Sequence, residues 1–177
     1  MEKIVVLNPP LLLYVTVLPY ILEMKNALKY IGLSILLFVI GFLVQEPFFE
    51  ISFSQLKNEN TQIVSRTMSG QFYSHILFSL SIGIIPLLYL ILKKITKLDF
   101  ILKGFISFGI ILVSGILFWQ FRIFQLNNKF QKLSEFDIGN GIQSQMDFNN
   151  LNLGLYLFIG FLIGTVLSIL IFKNKAE

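Results

Sequence analysis

Charged side chains fall along this chain in short clusters, and between the clusters run apolar blocks long enough to cross a lipid bilayer. Residues 76–92, 104–121 and 151–172 contain no Asp, Glu, Lys or Arg, and each block is close to the ~20 residues that a hydrocarbon core of ~30 Å requires. A fourth block, residues 27–44, carries a single charge, Lys29, near its beginning, where the ammonium can reach the headgroups along its apolar stem. The pattern predicts an all-α polytopic membrane protein folded as a four-helix bundle in one membrane domain. Residues 4–22 are apolar too, but Pro9, Pro10 and Pro19 interrupt them, and each proline removes a backbone donor that lipid cannot replace. Three alternatives stay open there: a fifth span, an interfacial helix beginning near Pro10, or poorly ordered or mis-annotated sequence ahead of a start at Met24. A cleaved signal peptide is not expected, because no small-residue cleavage site follows the apolar run.

Composition agrees with this reading. Of 177 residues 55% are hydrophobic and only 14% charged, whereas a soluble domain carries about 25% charged residues. Mean hydropathy is +0.75. A water-soluble fold and a disordered chain are thereby disfavoured. Cysteine is absent and His75 is the only histidine, which excludes disulfides and thiolate chemistry and leaves no basis for a histidine-built metal site. No cofactor is implied. Lysine outnumbers arginine by 12 to 2 among the 14 basic residues, with abundant Asn, Ile and Phe, a usage typical of low-GC bacterial genomes.

The net charge of +4 is a matter of topology, and no nucleic-acid partner is expected. Lys93, Lys94, Lys97 and Lys103 surround one Asp99 between the second and third blocks. Lys25 precedes the first block and Lys29 lies near its beginning, and Lys173 and Lys175 follow the last. The opposite side holds Glu46, Glu50, Lys57, Glu59 and Arg66 in one loop and Arg122, Lys129, Lys132, Glu135, Asp137 and Asp147 in the other. The positive-inside rule puts the lysine side in the cytoplasm and both long loops outside, the arrangement of a bacterial inner-membrane protein. The order span, outward loop, span, lysines occurs twice, with Gln45 and Gln120 closing the first and third blocks. This reads either as a parallel internal repeat or as the layout of any four-span protein with both termini inside.

Few polar groups are candidates for function. Ser79 and Gly83, and Gly160, Gly164 and Ser168, put small residues four apart on single helix faces, which lets helices approach closely where lipid supplies no hydrophobic drive. Such faces serve packing within the bundle or contact with a protein partner or second copy. Pro86 should kink its span. Glu46, His75 and Arg122 gather at the outer boundary; Glu46 and Arg122 are expected to pair across the bundle, the alternative being a polar cleft with His75. No ionisable residue lies mid-span, which counts against proton- or ion-coupled transport. Ser34, Ser81, Ser107, Ser114 and Thr165 are expected to bond back to their own helices.

In the outward loops, Ile123, Leu126, Phe130 and Leu133 recur at helical spacing, predicting a helix that runs past the bilayer or along its surface. Residues 50–56 alternate like a strand or an interfacial segment. Asp137-Ile-Gly-Asn-Gly141 is a turn signature without the acidic ligands of a calcium loop.

The segment Lys103-Gly-Phe-Ile-Ser-Phe-Gly109, opening a span after a lysine-rich turn, resembles a Bacteroidota family of small four-span membrane proteins classed as a domain of unknown function. The long first outward loop departs from that family's layout, and the resemblance implies no activity. The leading expectation is a non-enzymatic scaffold, assembly factor or accessory subunit in the lipid bilayer. A small transport or channel component, dimeric through Gly160 and Gly164, is the alternative. A lipid-modifying enzyme using Glu46, His75 and Arg122 at the outer leaflet is the third.

Overall fold

The structure is a computed structural model that describes residues 9–56, 61–64, 68–96, 101–136 and 144–173. The elements are α1 (Pro9–Ser54), β1 (Thr61–Val64), α2 (Met68–Gly83), α3 (Ile85–Thr96), α4 (Ile101–Phe136), β2 (Ser144–Asp147), a 3-10 turn (Phe148–Leu151) and α5 (Leu153–Phe172). Four stretches are long and apolar enough to cross a membrane: Ala27–Ser54, Phe72–Thr96, Leu102–Lys132 and Leu153–Phe172. The all-α membrane bundle expected from the sequence is the fold.

Three helices depart from their expected limits. The 46 residues of α1 form one uninterrupted helix, about 69 Å long at ~1.5 Å per residue. From Pro9 onward the N-terminal apolar segment is therefore the leading part of α1 and not a separate fifth helix. Pro9 and Pro10 fall in the first helical turn, where a missing N–H leaves nothing unpaired. At its other end α1 runs through Pro47 to Ser54, so residues 50–54 are helical and not a strand. The reason is burial: Phe49, Ser52 and Leu56 are 6%, 0% and 6% exposed, a 3-and-4 spacing that packs only as a helix.

The second span is divided. Ile84 separates α2 from α3, and Pro86 is the second residue of α3. Ile84 N–H still reaches Leu80 O at 2.9 Å and Leu88 N–H reaches Ile84 O at 3.0 Å. Pro86 has no N–H to offer the carbonyl of Ile82, four residues back, so the ladder breaks beside it. Finally, α4 spans 36 residues, about 54 Å, and extends well past a ~30 Å hydrocarbon core. On that extension Ile123, Leu126 and Phe130 are 4%, 1% and 2% exposed. Leu133 and the Asp137–Gly141 turn lie outside what is described of side chains or backbone there.

The helices are held by different physics at different depths. Within the lipid-facing region α4 packs on α5, α5 on α2 and α3, and α1 on α2 and α3. These contacts rest on small residues. A Cβ on Gly160 would meet Ser114 O at 2.6 Å and Gly115 Cα at 2.7 Å; one on Gly164 would meet Ile111 Cα at 2.8 Å. Gly41 lies as close to Ser79 Cα, Gly83 to Phe38, and Gly154 to the backbone of Phe78. Ser79 and Ser168 are fully buried on the same faces. The Gly160/Gly164 face is thus filled by α4 of the same chain. Past the bilayer, water restores the hydrophobic drive, and each buried Leu, Ile or Phe there stabilises by about 2 kcal/mol.

Most of the serines and threonines at depth bond back along their helices, Ser79 to His75 O, Ser107 to Lys103 O and Thr165 to Phe161 O at 2.8–2.9 Å. Ser81 Oγ lies 2.6 Å from Leu77 O and 2.9 Å from Gly154 O, so its proton can serve α2 or α5. Ser168 Oγ reaches Ser107 O of α4 at 3.4 Å. Ser34 Oγ, expected to bond back as well, is buried without a partner.

Candidate functional site

The end of the bundle opposite the lysine-rich turn collects the polar groups that the sequence singled out, and aromatic packing positions them. α1 delivers Phe48, Phe49 and Phe53, α2 His75 and Phe78, α4 Trp119, and the 3-10 turn Phe148. Phe48 stacks on Phe78 at 4.2 Å between centroids and lies 5.4 Å from Trp119. Phe148 sits 5.0 Å from Phe49 and 5.7 Å from Phe53. Offset and edge-on pairs of this kind add about 0.5–1.5 kcal/mol each beyond burial. They bring together four segments far apart in sequence.

Two hydrogen bonds latch α1 to α4 here. Trp119 Nε1–H donates to Ser52 Oγ at 3.1 Å, and Ser52 Oγ–H donates to Phe48 O at 2.7 Å. Just past the end of α1, Asn127 Nδ2–H donates to Gln55 O at 3.1 Å. Beyond the helices, β1 and β2 pair in parallel, Thr61 opposite Ser144 through Val64 opposite Asp147, which ties the two long loops together. The aromatic latch and the ladder make this end a folded cap.

Arg122 organises the second loop. Its Nε–H donates to Leu151 O at 2.8 Å and its Nη2–H to Asn150 O at 2.7 Å. Nη1–H donates to Gln125 Oε1 at 3.2 Å, and the guanidinium carbon lies 4.9 Å from the centre of the Tyr156 ring. The planar fork thus holds consecutive carbonyls at the end of the 3-10 turn, a geometry that suits arginine and not lysine. Asn152 then turns the chain into α5 with φ 51° and ψ 29°, in the left-handed region that asparagine tolerates better than most residues.

The expected Glu46–Arg122 pair is not formed: among the described residues no ion pair joins them, and Arg122 is held by backbone carbonyls. Glu46 is exposed and acts electrostatically on His75. His75 lies 5.4 Å from the Phe49 ring and edge-on to Phe148 at 6.2 Å. His75 is thus held against phenylalanine, while the Arg122 guanidinium is engaged by backbone carbonyls. Pro86 lies near the middle of its span, Phe72–Thr96. The close approaches at Gly41, Gly115 and Gly154 were not anticipated, although Ser107, Ser114 and Gly115 do put small residues on α4.

Compared with known proteins, the chain matches no family model, no curated protein and no solved structure.

Proposed function

We propose that this integral membrane protein is a non-enzymatic scaffold, assembly factor or accessory subunit of a membrane complex. Its lysine-rich end faces the cytoplasm of a bacterial inner membrane, and its folded cap faces outward. The observation that carries the reading is the use of Arg122. The strongest polar group at the outer boundary binds the protein's own Asn150 and Leu151 carbonyls, so it holds a surface in shape and is not presented to a substrate. Support also comes from α1, whose Leu28, Ile35, Leu36 and Leu43 are 68%, 62%, 55% and 75% exposed, leaving one long helix face for lipid or a partner helix. The small-residue face that a homodimer would need is covered by α4.

Purification of the tagged full chain from native membranes tests the role. A stoichiometric partner supports it; a lone homodimer favours the transport reading. Orientation is tested separately, since the chain has no native cysteine. Lys93→Cys should react only with reagents that enter the cell, and Asn150→Cys with impermeant ones.

A further inference from the structure

The bundle is latched at its outer end but stands open at its lysine-rich end. There a groove of about 410 Å³ separates α1, α3 and α4, within the ~300–1,000 Å³ range of small-molecule sites. Its walls include Leu33 and Leu37 of α1, Pro86 and Tyr89 of α3, and Gly104 and Phe108 of α4. All of these fall inside the membrane-crossing stretches. The break beside Pro86 and the missing side chain at Gly104 shape it: the Tyr89 hydroxyl lies where a Cβ of Gly104 would have to be. Tyr30 and Tyr89, 6.3 Å apart, add phenolic groups near the mouth, the position that amphipathic rings favour at a membrane interface.

An apolar groove open to lipid does not hold water; a hydrocarbon chain fits it. The charge at the mouth selects among lipids. Lys29 lies one helical turn before Leu33 and Lys93 one turn after Tyr89, so both rise from the groove-lining faces toward the lysine-rich end, and both are exposed. We infer that this groove holds an acyl chain of an anionic phospholipid, with the phosphate headgroup against Lys29 and Lys93.

The test uses the full chain purified in detergent, with bound lipid counted by native mass spectrometry. The probes are phosphatidylglycerol and phosphatidylcholine of identical acyl chains. Phosphatidylglycerol should be retained preferentially, and the K29Q/K93Q double variant should lower its retention roughly five-fold per lysine, as expected for basic residues near an anionic surface, with phosphatidylcholine unchanged. Leu33 is 45% exposed, so Leu33→Trp fills the groove without crowding the core and should lower retention of both lipids. Glycerol phosphate, which has the headgroup charge without chains, should not compete. Equal retention of the two lipids, an unaffected double variant, unchanged retention in Leu33→Trp, or competition by glycerol phosphate would each overturn the inference.

Discussion

The α4–α5 contact makes the sharpest stability prediction, because two glycines on these helices differ in what surrounds them. A methyl group at Gly160 would stand 2.6 Å from Ser114 O, 2.7 Å from Gly115 Cα and 2.9 Å from Phe118 Cβ. Carbon contacts are relaxed at about 3.5–4.0 Å, so all three atoms are roughly 1 Å too near. Two are backbone and the third is a Cβ; none is the free end of a flexible side chain. Gly160→Ala therefore has to push the helices apart, an overpacking that typically costs about 1–3 kcal/mol. Against this stands a gain of roughly 0.5–1 kcal/mol from replacing a mid-helix glycine, leaving a net loss centred on about 1 kcal/mol. Gly109, also on α4, has nothing within 4 Å of its Cβ position. Gly109→Ala should collect only the propensity gain and be neutral or slightly stabilising. Titration of the purified chain from mild detergent into SDS, followed by the emission of Trp119, the single tryptophan, reads both variants on one scale. Equal midpoints for the two would refute the close approach of α4 and α5. Gly164→Leu should likewise lower the midpoint without changing the oligomeric state, because Ile111 and Ser114 of the same chain occupy its face.

Two further outcomes are expected. Arg122→Lys keeps the charge but cannot hold the Asn150 and Leu151 carbonyls together; it should cost about 1–2 kcal/mol and raise amide exchange across residues 148–153, and unchanged protection there would show that the clamp is dispensable. Pro86→Ala restores a donor for Ile82 O, so α2 and α3 should merge and the groove beside Pro86 should narrow. Reduced lipid retention in native mass spectrometry checks this, and full retention would mean that the break does not depend on the proline.

The parts of the fold legible beforehand were those set by near neighbours in the chain. The stripe Ile123, Leu126 and Phe130 announced that the helix continues through these residues, because its 3-and-4 spacing already places the three side chains on one face. The same logic misled at residues 50–56: an alternating run over so few positions is compatible with a strand, and the burial of Phe49, Ser52 and Leu56 decided for a helix. The site was less legible. Glu46 and Arg122 have opposite charges and end two spans on the same side, yet the guanidinium found two carbonyls that only the path of the second loop brings within reach. Trp119 with Ser52, and Asn127 with Gln55, form a latch that no short motif marks.

Solvent and span number were written in the primary structure itself. Whether a segment prefers oil to water is a sum over about twenty consecutive side chains, and that sum needs no knowledge of neighbours. The lysine-rich end is of the same kind. Partner choice is not: which helices touch, where they part to leave the groove, and how β1 finds β2 all depend on groups that meet across dozens of residues. Inside lipid those meetings turn on the fit of glycines against backbone, and only the assembled bundle determines that fit.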